Sequence, residues 1–202
     1  MVKTVLEENE DELVLVAGVL SIPHSLADDY YGISIEAAKL KKIVEVYQWK
    51  EIQQPKTKEA GNTNGDNTTH VGKSYIYKRD WFDHHIDSNF FQRTYEHQNP
   101  PKEIWPAESK TEINDEVRIG SFVLGQGFKE RMTTFKPLTS NELPISALKQ
   151  VKLHNSIYYH SKNIWEPEIG EHRVRFFYAG GDGEPSLLWG SNLATTYFLT
   201  IP

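Results

Sequence analysis

The stretch Glu168–Gly180 reads EIGEHRVRFFYAG and follows Ile157–Glu168, IYYHSKNIWEPE. Along its middle, Val174, Phe176 and Tyr178 fall on one side of an extended chain, with Arg173 and Arg175 on the other. That period of two marks a strand with one face against a core. Pro167 and Gly170 precede it and Gly180-Gly181 follow it, and such residues punctuate strands.

The same alternation recurs on either side. Ser74–Trp81 (SYIYKRDW) puts Tyr75, Tyr77, Arg79 and Trp81 on one face. Ile33–Lys50 holds a helix-favouring piece at Glu36–Lys39 but ends in IVEVYQW, so it is expected to be mainly one long strand, with any helix confined to its start. Between these two lies Gln53–Gly72, the most polar part of the chain, where Gly61, Asn62, Asn64, Gly65 and Asp66 predict a long exposed hairpin loop. Leu13–Leu20 (LVLVAGVL) is apolar on both alternating faces, as in a strand buried on both sides. Val117–Leu124 reads as a strand interrupted by Gly120, and Val151–Tyr159 as a strand with Val151, Leu153, Ile157 and Tyr159 on one side. A short helix is expected within Leu138–Leu148, starting near Ser140. The expected fold is mainly β (β-rich α+β), with antiparallel sheets and long connecting loops. Residues 1–12 read as a flexible acidic lead-in, 13–183 as the β-rich domain and 184–202 as a divergent tail. A coarse parallel between 13–101 and 113–183, each a strand, a long connection and a hairpin, suggests two related halves.

Composition narrows the function. In 202 residues there are 5 Trp, 10 Tyr and 9 Phe, an aromatic load that suits half-buried sheet. A net charge of −6 leaves no electrostatic footprint for nucleic acid. With no cysteine, disulfides, thiol nucleophiles and Cys-based zinc sites are excluded together. The run Leu13–Leu20 falls well short of the roughly 20 residues a spanning helix needs. Acidic residues from Glu7 to Glu12 stand where a signal peptide carries positive charge. The chain therefore reads as soluble in itself, with any membrane anchor outside it.

Candidate chemistry is thin. Asp83-His84-His85 matches a triplet found in some metal-dependent phosphoesterases, which makes a metal-dependent hydrolase the alternative reading. The D-x-D partners of such a site are missing, and adjacent histidines on an extended chain face opposite ways. His154 and His160, read as flanking one strand, would lie about 20 Å apart at roughly 3.3 Å per residue and cannot share an ion. Gly180-Gly181-Asp182-Gly183 lacks the Lys and Ser/Thr of a phosphate loop and reads as a tight turn. Gly125-Gln126-Gly127 meets Glu130 where a dinucleotide fingerprint needs its third glycine. Glu166 and Glu168 read as solvated loop charges. Trp49, Trp81, Trp105, Trp165 and Trp189 are scattered at element ends, which favours packing over a glycan-binding platform. Asn67-Thr68-Thr69 is an N-glycosylation sequon in the most exposed stretch, so Asn67 is the candidate glycan acceptor. No catalytic residue, metal ligand or cofactor is assigned.

A dozen short motifs in order carry a family resemblance. They begin at Tyr31-Gly32, Lys39-Leu40-Lys41-Lys42 and Val44-Glu45-Val46-Tyr47-Gln48-Trp49. The Tyr75–Trp81 strand, Ser88 with Phe90 or Phe91, Asn99-Pro100, Glu108-Ser109, Ile119-Gly120 with Phe122 and Leu124, and Phe135-Lys136 follow. Tyr158-Tyr159-His160-Ser161, Pro167-Glu168-Ile169-Gly170-Glu171, Arg173-Val174 and Tyr178-Ala179-Gly180 complete the series. The chain resembles the LUMA family of nuclear-envelope and endoplasmic-reticulum membrane proteins. The resemblance implies a parent protein with membrane spans outside this segment, which lies on the lumenal side of the endoplasmic reticulum and inner nuclear membrane. It implies a non-enzymatic role in membrane organisation through protein contact, with lamins, emerin and self-association as the partners. His84 and His85 match no part of the family pattern, and Glu184–Pro202 diverges from it.

Overall fold

The computed structural model describes residues 13–56, 72–139, 142–144, 151–191 and 198–200. In chain order its strands begin with β1 (Leu13–Ser21), β2 (Leu26–Asp28), β3 (Ile33–Ile35), β4 (Ala37–Lys56) and β5 (Gly72–Phe82). Next are β6 (Lys110–Ile113), β7 (Arg118–Ile119), β8 (Phe122–Val123), helix α1 (Gln126–Arg131) and β9 (Lys136–Pro137). The last are β10 (Lys152–His154), β11 (Ile157–His160), β12 (His172–Gly181), β13 (Pro185–Ser191) and β14 (Phe198–Thr200). They form sheets of five strands (β14-β13-β1-β7-β8), seven strands (β10-β11-β12-β4-β5, with β6 on β4 and β9 on β12) and two strands (β2-β3). The fold is mainly β and antiparallel, as the alternation at Val174–Tyr178 and Tyr75–Trp81 requires.

The described residues group into two compact units, one within 1–43, 109–159 and 174–202, the other within 44–108 and 160–173. These units are interleaved along the chain and do not follow the contiguous halves 13–101 and 113–183. The reason lies in the long strands. β4 and β12 each pass through both units, so a cut between successive segments divides neither.

In the first unit the core gathers Val16, Leu20, Ile22, Ala38, Val117, Ile119, Phe122, Leu124 and Phe128. β1 buries Val16 and Leu20 but leaves Val19 56% exposed, so the strand is buried on one face and not on both. Glu36–Lys39 forms no helix: Ala37 and Ala38 are wholly buried at the start of β4, where packing overrides helix propensity. A second cluster sets Tyr31 tilted against Tyr158 at 4.8 Å and edge-on to Phe176 at 5.2 Å. The Tyr158 hydroxyl donates to the Pro144 carbonyl at 2.7 Å. Burial pushes the Tyr158 phenol up to about 12 and raises Tyr31 as well.

Two expectations change here. Val151–Tyr159 is a hairpin, β10 and β11 paired from Lys152↔Tyr159 to His154↔Ile157. Its turn is Asn155-Ser156, both at positive φ (48° and 61°), a conformation that Asn tolerates because its side chain is short and polar. The sheet also continues past Gly183, since β13 pairs with β1 from Val19↔Pro185 to Leu13↔Ser191. Pro185–Ser191 is thus sheet and not tail. The Gly180–Gly183 turn joins β12 to β13 as expected, with Gly180 at φ 65° and a Cβ there meeting Met132 Sδ at 3.0 Å and Ala38 Cβ at 3.1 Å. Asp182 Oδ1 anchors the turn by accepting from Ile22 N at 2.8 Å. Most of Leu138–Leu148 lies outside the described residues. Within it, the Thr139 N–H and hydroxyl both donate to Glu142 Oε2 at 2.7 Å.

In the second unit β4 and β5 pair from Val46↔Phe82 to Lys56↔Gly72, the hairpin that the polar stretch foretold. Residues 57–71 of its loop, Asn67 among them, lie outside the described residues. After β5 the chain leaves the sheet and runs through three 3-10 turns, Ser88–Phe90, Thr94–Glu96 and Lys102–Ile104.

Candidate functional site

The second unit carries an aromatic and charged surface built on β4 and β5. Register pairs Tyr47 with Trp81, Trp49 with Arg79 and Glu51 with Tyr77, so the aromatic face read from Tyr75–Trp81 becomes a cross-strand ladder. Tyr47 and Trp81 rings lie 5.1 Å apart, and the guanidinium carbons of Arg79 and Arg173 sit 5.2 Å over Trp49 and 4.9 Å over Trp81. Arg173 Nε also bonds Glu45 Oε2 at 2.7 Å, an ion pair whose side chains are 19% and 9% exposed. His97 comes from the 3-10 segment and stacks on Tyr77 at 3.6 Å and 9°.

Two amides tie that segment to β4. Gln48 is wholly buried, and a buried amide must find partners. It donates to His84 O at 2.9 Å and accepts from Ile86 N at 3.0 Å. Asn99 accepts from Trp49 N at 2.7 Å and donates to Trp49 O at 2.9 Å and Ile86 O at 3.1 Å. Glu51 accepts from Gln92 N at 2.7 Å and from the Tyr77 hydroxyl at 2.5 Å. Neither staple was visible in the sequence, where an isolated Gln or Asn carries no pattern.

Glu171 is the hub of the loop between β11 and β12. Its carboxylate accepts from Ser161 Oγ at 2.6 Å, Lys162 N at 2.9 Å and Glu168 N at 2.8 Å. Burial pushes this carboxyl up, but the three hydrogen bonds outweigh it and hold the group below its usual range. Beside it, His160 and His172 stack at 4.0 Å and 17°. Burial, then His160, holds His172 down at about 4, with Glu171 pulling the other way. So His160 pairs with His172 and not with His154, which sits across the β10–β11 turn.

Two grooves open on this unit. One of about 480 Å³ is polar, lined by His85, Asp87, Asn89, Gln98 and Glu103 among others. The other, about 530 Å³, is lined by Tyr47, Arg79, Trp165, Glu166, Pro167 and Ile169. Trp165 is 74% exposed there.

The triplet Asp83-His84-His85 does not converge. His84 Nδ1 and Asp83 Oδ1 meet at 3.0 Å on an exposed surface, while His85 turns away to pack edge-on against Trp105 at 6.2 Å. Among the described residues no group of three or more His, Cys, Asp or Glu is placed to hold a metal ion. The hydrolase alternative is therefore not favoured. The tryptophans with described side chains divide: Trp49 and Trp81 pack in the ladder, Trp105 packs against His85, and Trp165 lines a groove.

Comparison with known proteins adds the context. A family model described as Transmembrane protein 43 matches residues 46–188. The chain is 34% identical over 177 residues to the Transmembrane protein 43 homolog of Drosophila melanogaster, covering 87% of this chain and 45% of that protein. It is 32% identical over 194 residues to Transmembrane protein 43 of Homo sapiens, covering 96% and 46%. The chain thus spans about half the length of the curated relatives it matches. No solved structure matches it.

Proposed function

This chain belongs to the Transmembrane protein 43, or LUMA, family, and from that premise we propose that it is the lumenal, non-enzymatic contact domain of a membrane protein of the endoplasmic reticulum and inner nuclear membrane. Its task is to organise the envelope by binding other envelope proteins, with emerin, lamins and further copies of itself in the same assembly. The membrane spans lie outside this chain; among its described residues no helix is long and apolar enough to cross a bilayer.

The observation that carries the reading is the Trp165 groove. A mostly exposed indole lines a groove with Tyr47, Arg79 and Pro167, on a loop held by the three bonds to Glu171. Exposed tryptophan on a rigid frame is what interface hot spots are made of. It supplies contact area with little ordering cost, and it does not supply acid–base chemistry.

Two measurements on the full-length protein in cells test the proposal. Asn67 within its sequon should acquire an endoglycosidase-sensitive glycan, lost in Asn67→Gln, if the segment is lumenal. Trp165→Ala should reduce co-purification of emerin and lamins while leaving expression and membrane insertion intact. Cytosolic protease sensitivity of the segment, or full partner recovery with Trp165→Ala, would count against it.

A further inference from the structure

Three large apolar side chains of the second unit stand out of a single stretch: Phe90 is 82% exposed, Tyr95 96% and Ile104 66%. Scattered exposed apolar residues are ordinary, but three on consecutive turns are not. The turns Ser88–Phe90 and Thr94–Glu96 are neighbours in space, and Asn89 and Glu103, next in sequence to Phe90 and Ile104, line one groove. The stretch is also rigid, because Gln48 and Asn99 bind the backbone at Ile86, Ser88 Oγ accepts from Asn99 N, and Glu51 accepts from Gln92 N. Apolar tips on a rigid base lose little freedom when they insert.

The groove beside these tips is polar, with the carboxylates of Asp87 and Glu103 among its lining. An amphiphile fits that pairing: apolar chain at the tips, cationic headgroup at the carboxylates. Charge selects which amphiphile. Arg93 and Lys102 are matched by Glu96 and Glu103 within the stretch, and the whole chain carries −6, so nothing draws it to an anionic surface. We propose that Ser88–Ile104 is a lipid-contacting surface, with Phe90, Tyr95 and Ile104 entering the interfacial zone of a zwitterionic, choline-headed bilayer beside the groove of Asp87 and Glu103. The proposal draws on the function proposed above only for having a bilayer nearby; the contact itself is a property of this chain.

Flotation of the 202-residue chain with phosphatidylcholine vesicles tests it, at low and high salt. The chain should float with the vesicles at both salts, and Phe90→Ser/Tyr95→Ser/Ile104→Ser should weaken partition by about tenfold or more. Val19→Ser, an exposed apolar site on the other unit, should change nothing. Should the triple variant melt early, Tyr95→Ser alone and quenching of tryptophan fluorescence by brominated lipid chains carry the same test. A wild-type chain that stays with the buffer, binding abolished by salt, unchanged binding of the variants, or self-association lost in the triple variant without any flotation overturns the proposal. These outcomes do not touch the glycan and partner tests, which can fail or succeed separately.

Discussion

His172 shows how one side chain ties the second unit to pH. Its ring lies 4.0 Å from His160, and burial first, then that neighbour, keeps it neutral down to about 4. In the unfolded chain a histidine takes up its proton near 6.5. Between those two values the unfolded chain binds more protons than the folded one, so stability rises with pH and is lost as pH falls from 6.5 towards 4. The loss amounts to about 2–3 kcal/mol once partial exposure is discounted. Glu171, held below its usual range, adds a further loss in the same direction at lower pH. Urea midpoints measured across this window should fall for the wild-type chain and stay much flatter for His172→Phe, which keeps the stacked ring and removes the proton. Parallel curves for the two proteins would show that His172 does not set the pH dependence.

At the scale of elements, the sequence showed the strands whose sides differ chemically and hid those defined by their neighbours. Val174–Tyr178 and Tyr75–Trp81 were legible because apolar and charged residues alternate, and the polar stretch after Gln53 gave the hairpin between β4 and β5. The β10–β11 hairpin was missed because Asn155-Ser156 lacks the glycine that usually announces such a turn. That omission is also an opportunity. Ser156 sits at φ 61°, where a Cβ is strained, so Ser156→Gly should stabilise the chain by about 0.5–1 kcal/mol, read as a rise in thermal midpoint. The segment after β5 is different, since it has no ladder and hangs on side chains. Removing Asn99 breaks its bonds to Trp49 N, Trp49 O and Ile86 O. Asn99→Ala should therefore cost about 2–4 kcal/mol by stranding buried backbone groups. Amide exchange should speed up at Trp49 and across residues 83–108 before it does so in the first unit's core. Uniform acceleration everywhere would mean that Asn99 supports the whole chain and not that segment.

Across the whole molecule, the family could be read from ordered short motifs, whereas the surface that qualifies as a site could not. Asp83-His84-His85 looked like chemistry because its residues are adjacent, yet Asp83 meets only His84, and His85 turns away to Trp105. The Trp165 groove draws Tyr47 and Arg79 from paired strands and Trp165 from a distant loop, and no local pattern announces that meeting. The same interleaving makes a prediction about unfolding. Residues 44–108 and 160–173 make one unit and the remaining segments the other, so β4 and β12 belong to both. Each of these strands runs from one unit into the other with no intervening loop, which favours a single transition. The tryptophans allow a clean check: Trp49, Trp81, Trp105 and Trp165 lie in the second unit and only Trp189 in the first. Fluorescence therefore follows the second unit, while far-ultraviolet circular dichroism follows strands of both. The two signals should give the same urea midpoint and slope, and the excised fragment 44–108, lacking the strand start and loop at 160–173, should not fold. If fluorescence changes well before circular dichroism, the second unit melts independently and the shared strands are not the coupling they are argued to be.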